Sequence, residues 1–133
     1  MRAEEKIILL GVLSKRSVEE EALLAELLKK KLDWIWITGT LIRHRINGNF
    51  LQGIGEKYQK VLNPKILSAF TILSRMYEAI NIQNLKMCEE IFANAKKYSL
   101  SIAGLKGVIF NTSLYSLNTR MSNDIDILVA EKD

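Results

Sequence analysis

Two aspartates near the end of the chain, Asp124 and Asp126, have a type and spacing that can do chemistry. They alternate with isoleucines in residues 124–130, a pattern that predicts a strand. Alternate side chains of a strand share a face, so both carboxylates are expected on one side. Two carboxylates at this spacing can bind hard cations such as Mg²⁺ through their oxygens. For the pair taken alone, an acidic exposed edge strand is the competing interpretation.

A second group of polar residues precedes the aspartates. Lys106-Gly107 stands before a predicted helix, where glycine permits close backbone approach and the first helical N–H groups attract anions. Lys106 can pair with a phosphate as a point charge, or it is a solvated lysine in a turn. Arg120 and Ser122 come next, and Arg120 can either bind phosphate with two donors or neutralise the two acids. The sequence leaves both pairs of alternatives open.

The elements that must position these residues are predicted after residue 98, where the helical periodicity stops. Residues 100–105 alternate large apolar with small side chains, which indicates a short buried strand. The elements expected next are a helix over 108–115, a loop over 116–123 and the strand over 124–130.

The chain before this region is predicted to be helical. The expected helices cover residues 3–13, 18–31, 34–46, 49–61 and 64–98. The fold class is therefore α+β and mostly helical, with an N-terminal helical bundle over 1–98 and the strand–helix–strand start of a sheet over 99–133. We expect these two regions to form one structural unit.

Local signals set several helix boundaries. Ser17 and Glu20 have the spacing of a capping box, and Asp33 is the expected N-cap of the next helix. The pair Asn47-Gly48 tolerates left-handed backbone angles and is expected to end the 34–46 helix. In the long last helix, a bend is expected near Asn81–Asn84.

Composition restricts the class of protein. Of the 133 residues, 48% are hydrophobic and 26% are charged, which favours a folded globular chain over disorder. The single cysteine, Cys88, excludes an internal disulfide and a cysteine metal cluster, and it fits a reducing compartment. The apolar runs are too short to span a bilayer, and the N-terminus lacks signal-peptide features. A cytoplasmic protein without a membrane partner is expected.

The charge distribution does not favour a nucleic-acid partner. Residues 1–98 contain 16 Lys+Arg and 11 Asp+Glu, whereas residues 99–133 contain three and four. A mild excess of this kind is usual for a solvated helical surface, and nucleic-acid binding needs clustering on one face. The only histidine, His44, lies between two arginines and is expected to be a surface or capping residue.

Taken together, the motifs resemble a known family. Leu105-Lys106-Gly107, Tyr115, Arg120 and the stretch over 124–129 resemble a bacterial family of nucleotidyltransferase-like proteins. That family belongs to the superfamily with the DNA polymerase β-like nucleotidyltransferase fold. The resemblance spans roughly residues 33–129, and its specific part is the last 25 or so residues.

The resemblance implies a reaction and a set of site residues. It implies Mg²⁺-dependent transfer of a nucleoside monophosphate from an NTP to an acceptor. The sequence does not identify the acceptor, for which a protein, a peptide or a small molecule is expected. Asp124 and Asp126 match the catalytic, metal-binding carboxylates. The positions that match the nucleotide-binding part of the motif are Lys106, Gly107, Arg120 and Ser122.

Two departures from the superfamily pattern shape the expectation. The turn is Lys-Gly where the wider superfamily has Gly-Ser. The superfamily's third carboxylate lies on a strand later than the one predicted here over 124–130, and this sequence ends at Asp133. We therefore expect this 133-residue form to be incomplete or inactive alone. A further region, a partner chain or a second copy is expected to cover the sheet edge. The alternative is a non-catalytic helical protein-interaction module.

Overall fold

A computed structural model describes residues 1–132, apart from the side chain of Val108. Its described elements are six helices and two strands, which confirms the α+β, mostly helical class. In chain order they are α1 (Ala3–Gly11), α2 (Val18–Leu27), α3 (Trp34–Arg43), α4 (Asn47–Gln59), α5 (Pro64–Lys97), β1 (Ile102–Leu105), α6 (Gly107–Ser113) and β2 (Asp126–Val129). Among the described residues, no helix combines the length and apolar character that crossing a membrane requires.

The chain forms two compact units, Met1–Leu73 and Ser74–Asp133, whose division falls within α5. The predicted division after residue 98 marks the change from helix to strand, and as a domain boundary it stays a prediction. The first unit is helical, and the second contains the rest of α5, the strands and α6.

The first unit is built on a core of aliphatic and aromatic side chains. Phe50 of α4 and Phe70 of α5 meet edge to face, with ring centroids 6.4 Å apart. Each fully buried side chain of this size stabilises the fold by roughly 1.5–3 kcal/mol. The fully buried members of this core are Ile7, Leu24, Ile37, Leu41, Phe50, Ile54 and Phe70.

Two predicted helix starts are confirmed. The Ser17 backbone N–H donates to Glu20 Oε2 at 2.8 Å, and the Glu20 N–H donates to Ser17 Oγ at 3.2 Å. This reciprocal pair is the capping box that begins α2. Asp33 caps α3, because its Oδ1 accepts from the Trp36 N–H at 3.0 Å.

The predicted end of the 34–46 helix at Asn47-Gly48 is wrong. The helix α3 ends at Arg43, and Arg45 takes the left-handed conformation with φ of 56°. The Ile46 N–H then donates to the Leu41 carbonyl at 2.9 Å, which closes a Schellman-type end. Asn47 and Gly48 instead begin α4. His44 is the exposed C-cap residue of α3, as predicted.

A polar cluster of four residues, here called the Glu21 cluster (Arg16, Glu21, Lys57, Tyr58), joins the start of α2 to α4. Glu21 accepts from Arg16 Nε and from the Tyr58 hydroxyl, both at 2.8 Å. Gly55, with φ of 68°, kinks α4 just before Tyr58. The Arg16 hydrogen bond, followed by that of Tyr58, lowers the pKa of Glu21 from 4.5 to about 2.

We predict that Glu21→Gln lowers the free energy of unfolding by about 1–2 kcal/mol at pH 7, because two hydrogen bonds to a charged acceptor weaken. The unfolded carboxyl takes up a proton near pH 4.5 and the folded one near pH 2. The stabilisation is therefore complete above about pH 4.5 and is lost as the pH falls towards 2. Urea unfolding of wild type and Glu21→Gln at pH 7, 5 and 3 measures this stabilisation.

Glu26→Gln, an exposed acid on the same helix, is the matched control. The difference between wild type and Glu21→Gln should shrink between pH 5 and pH 3, while the difference for Glu26→Gln stays near zero. A Glu21→Gln difference that is independent of pH would contradict the assigned role.

In the second unit, β1 and β2 pair antiparallel. The register aligns Gly104 with Ile127 and Leu105 with Asp126. Because alternate residues share a face, Gly104 lies on the opposite face from Leu105 and Asp126. A Cβ at Gly104 would lie 3.1 Å from Ile109 of α6 and 3.7 Å from Phe92 of α5, so helices cover that face.

The predicted boundaries in this unit need correction by one or two residues. The strand expected over 124–130 is Asp126–Val129, the one over 100–105 is Ile102–Leu105, and the helix over 108–115 is Gly107–Ser113. Asp124 therefore lies just before β2. The lone thiol, Cys88, is buried in α5, and this burial raises its pKa.

Candidate functional site

Lys106 and Asp126 form the centre of the candidate site. The register places Asp126 opposite Leu105, so the residue after Leu105 lies beside the carboxylate. Lys106 Nζ lies 3.0 Å from Asp126 Oδ2. This contact is the main cause that raises the pKa of Lys106, and the charge of Asp124 adds to it. Both carboxylates therefore act on one ammonium group.

The backbone of Lys106 has an unusual conformation. Its φ of 52° and ψ of −125° are those of the first central residue of a type II′ turn, a position that glycine normally occupies. For a residue with a side chain, such a conformation costs about 1–3 kcal/mol. The strained turn joins β1 directly to α6 and holds the base of the lysine side chain at the end of the strand.

Gly107 is needed for close packing. A Cβ at this position would overlap the hydroxyl of Ser122 and lie 3.2 Å from its Cβ. Ser122 is buried, and its hydroxyl donates to the Asp124 carbonyl at 3.1 Å. The Lys106-Gly107 turn and the segment from Ser122 to Asp124 are thus packed directly on each other.

The loop over 116–123, here called the Arg120 loop, is held by a buried amide. Asn81 of α5 is fully buried, and its Nδ2 donates to the carbonyls of Leu117 and Arg120, both at 2.7 Å. Its Oδ1 accepts from the Ser122 N–H at 3.0 Å. Asn84 adds a fourth bond, from its Nδ2 to the Ser122 carbonyl at 2.6 Å. One helix face therefore fixes the loop backbone.

Neither asparagine was predicted as a site residue. From the sequence, Asn81 and Asn84 are expected only to mark a bend in the long helix. The signal that could have identified them is their spacing of three, which places two amides on one face of an otherwise apolar stripe. Their partners lie more than 30 residues away in sequence, so their role depends on tertiary structure.

Arg120 and Asp124 complete the set of predicted residues. Arg120 is exposed, and its guanidinium lies 5.8 Å from the centroid of the Tyr115 ring. The Tyr115 ring meets Phe110 edge to face at 6.5 Å. Within residues 1–132, the cation paired with Asp126 is Lys106, whereas Arg120 stacks on an aromatic ring. Asp124 is exposed and faces solvent just before β2.

The donor set at this site fits a hard divalent cation. Asp124 and Asp126 offer carboxylate oxygens, and an ammonium group already lies against one of them. Within the part of the chain that the structure describes, no three His, Cys, Asp or Glu residues converge on a point. Mg²⁺ is commonly held by one or two carboxylates together with waters and substrate phosphates, so two are a sufficient protein contribution.

We predict that Asn81→Ala lowers the free energy of unfolding by about 2 kcal/mol, because the buried Ser122 N–H and the half-buried carbonyls of Leu117 and Arg120 lose their partner. The Ser122 amide should also exchange with solvent much faster, because its N–H loses its acceptor. Urea unfolding and amide hydrogen exchange measure the two effects.

Asn94→Ala, at an exposed position of the same helix, is the control and should change stability by no more than about 0.5 kcal/mol. Equal effects of the two substitutions, with unchanged exchange at Ser122, would contradict the assigned role of Asn81.

The strained turn gives a separate prediction. Lys106→Met and Lys106→Gly both remove the ion pair, but only glycine relieves the backbone. We expect the glycine variant to unfold at a free energy about 1–3 kcal/mol higher than the methionine variant. Thermal and urea unfolding of the two proteins provide the comparison, and a glycine variant less stable than the methionine variant would show that the turn is not strained.

Comparison with protein families identifies a match over most of the chain. A family model described as an uncharacterised nucleotidyltransferase matches residues 30–133. The match begins after α2 and includes every residue of the candidate site. No curated protein and no solved structure matches the chain significantly.

Proposed function

From the premise that the chain belongs to this uncharacterised nucleotidyltransferase family, we propose a specific reaction for it. The protein transfers a nucleoside monophosphate from a nucleoside triphosphate to an acceptor, with Mg²⁺ bound at Asp124 and Asp126. The observation that supports the proposal most is the Lys106–Asp126 contact at 3.0 Å, which brings a phosphate-binding type of side chain and a metal-binding type together.

The reaction is an in-line displacement at phosphorus. A bond forms between an acceptor oxygen or nitrogen and the α-phosphorus, and the bond from that phosphorus to the bridging oxygen of pyrophosphate breaks. Pyrophosphate leaves, and the acceptor loses one proton. A bound Mg²⁺ supplies charge neutralisation on the phosphate oxygens. The acceptor in this proposal is a protein, a peptide or a small molecule.

Each residue of the site has a separate role in this proposal. In this proposal Asp124 and Asp126 hold the cation, and Lys106 offers an ammonium to the phosphates. Arg120 offers a planar guanidinium with two parallel donors, and this group lies 5.8 Å from the centre of the Tyr115 ring. Gly107 lets the turn approach the Arg120 loop.

Ser122 is assigned a supporting role. Its hydroxyl already donates to the Asp124 carbonyl, and its backbone groups bond to Asn81 and Asn84. A buried residue with these partners positions Asp124 and leaves phosphate contact to Lys106 and Arg120. This refines the expectation that Ser122 itself contacts the nucleotide.

We predict that the protein binds Mg²⁺ with a nucleoside triphosphate, and that Asp124→Asn and Asp126→Asn each weaken this binding at least about tenfold. The reason is that each substitution removes a charged oxygen ligand that a hard cation prefers. Isothermal titration calorimetry, using the α,β-methylene analogues of the four NTPs, measures the affinities and identifies the preferred base.

Glu131→Gln is the matched control, because it removes an exposed acid just beyond β2. Its affinity should equal that of wild type. If none of the four analogues gives heat or a thermal shift with wild type, the proposal loses its support. If wild type does bind an analogue, turnover is tested with the corresponding natural nucleotide and candidate acceptors.

A second candidate function is a protein-interaction module. It is favoured by an apolar hollow of about 310 Å³ between α1 and α3, lined by Met1, Glu5, Ile8, Leu9, Trp36 and Thr40. Leu9 is 54% exposed there, so apolar surface of α1 faces solvent at this hollow. This function requires no nucleotide binding, so the calorimetry separates the two candidates.

The sheet adds a proposal about partners. Among the described residues it has two strands, so each strand has one unpaired edge. Leu128 is 59% exposed and Leu105 is 38% exposed, and both lie on the face that carries Asp126. We propose that a further segment, a partner chain or a second copy covers this sheet, because exposed edges pair readily.

A further inference from the structure

We propose that Lys106 is an internal counter-ion which the divalent cation replaces at Asp126, and that its released ammonium then contacts the phosphates of the nucleotide. The inference rests on the proposed function and assigns an order to events at that site. Without a metal, the lysine neutralises the carboxylate. With a metal bound, the same lysine becomes available to the substrate.

The two cations compete for the same oxygen. Lys106 Nζ lies 3.0 Å from Asp126 Oδ2. Mg²⁺ approaches its carboxylate ligands to about 2.0–2.1 Å, so a metal on this oxygen would be within a few ångströms of the ammonium. Both cations need this oxygen, and their mutual repulsion, although screened by water at an exposed site, also disfavours binding of the two at once. A cation held by Asp126 would therefore displace the Lys106 ammonium from this oxygen.

The exchange requires little energy. The Lys106 side chain is 73% exposed and that of Asp126 is 34% exposed, so water screens their attraction. An exposed pair of this kind changes an equilibrium constant by only about one- to fivefold. The pair is strong enough to hold the ammonium at the carboxylate and weak enough to yield to a divalent cation.

The structure fixes the backbone of Lys106 but allows its exposed side chain to change rotamer. The backbone is held by the β1–α6 turn, and Gly107 packs on buried Ser122. The exposed four-carbon side chain can change rotamer without moving this turn. The ammonium thus stays within one side-chain length of Asp126, which is where a metal-bound triphosphate would lie.

The proposal predicts effects of opposite sign for one substitution. Lys106→Met removes the competing cation, so Mn²⁺ alone should bind about two- to fivefold tighter than to wild type. The same variant lacks the phosphate partner, so Mn²⁺ with α,β-methylene ATP should bind about three- to tenfold weaker. Electron paramagnetic resonance of free Mn²⁺ and calorimetry measure the two affinities.

Lys86→Met is the control, because it removes an exposed lysine on α5. It should change both affinities by less than about twofold. Lys106→Gly provides a second variant whose turn is unstrained, and it should reproduce the two opposite effects. Agreement between the methionine and glycine variants supports a role of the ammonium and excludes a distorted turn as the cause.

The outcomes are distinguishable from those of the proposed function. If Asp126→Asn abolishes binding of Mn²⁺ with the analogue, but Lys106→Met leaves Mn²⁺ affinity equal to that of Lys86→Met, the counter-ion role is overturned and the proposed function stands. Tighter binding of Lys106→Met in both measurements also overturns the counter-ion role. The lysine would then only repel the metal ion and would not contact the phosphates. If wild type binds neither Mn²⁺ nor the Mn²⁺ complex in a manner that depends on Asp126, both proposals fail.

Discussion

The buried amide of Asn81 is the interaction on which the geometry of the candidate site depends. The Arg120 loop has no regular structure, so its inward backbone groups need partners from elsewhere. Asn81 satisfies three of them, and Asn84 satisfies a fourth. Because an asparagine side chain has both donors and an acceptor, it can bind carbonyl and N–H groups of one loop simultaneously. An aliphatic side chain at this position would leave those groups unpaired.

From Asn81 the constraint extends to the charged residues through Ser122. The backbone of Ser122 is fixed by both asparagines, its hydroxyl binds the Asp124 carbonyl, and its side chain packs on Gly107. A two-stranded sheet is marginally stable alone. Here β1 and β2 are supported on one face by Phe92 and Ile109 through Gly104. The helix α5 thus holds both the loop and the strands that meet at the site.

The sequence was sufficient where the signal is local. The capping box at Ser17 and the Asp33 cap depend on residues three positions apart, and both are confirmed. The Asn47-Gly48 prediction failed because Arg45 takes the left-handed position and Asn47 begins α4, which the turn preferences of Asn and Gly do not indicate. The Lys106–Asp126 contact and the Asn81 bonds join residues 20 to 41 positions apart, so the strand register and loop path were needed to find them.

The order of the two residues in the Lys106-Gly107 turn indicates what each is for. Glycine would relieve the strained backbone of the first position, yet that position holds lysine, at a cost of about 1–3 kcal/mol. The glycine stands one residue later, where the backbone is helical and its missing Cβ makes room for Ser122. Exchanging the two would relax the turn, but it would create an overlap with Ser122 and remove the ammonium from Asp126. The lysine thus occupies a glycine conformation at the position from which its ammonium contacts Asp126, and the glycine occupies the position where a Cβ would overlap Ser122.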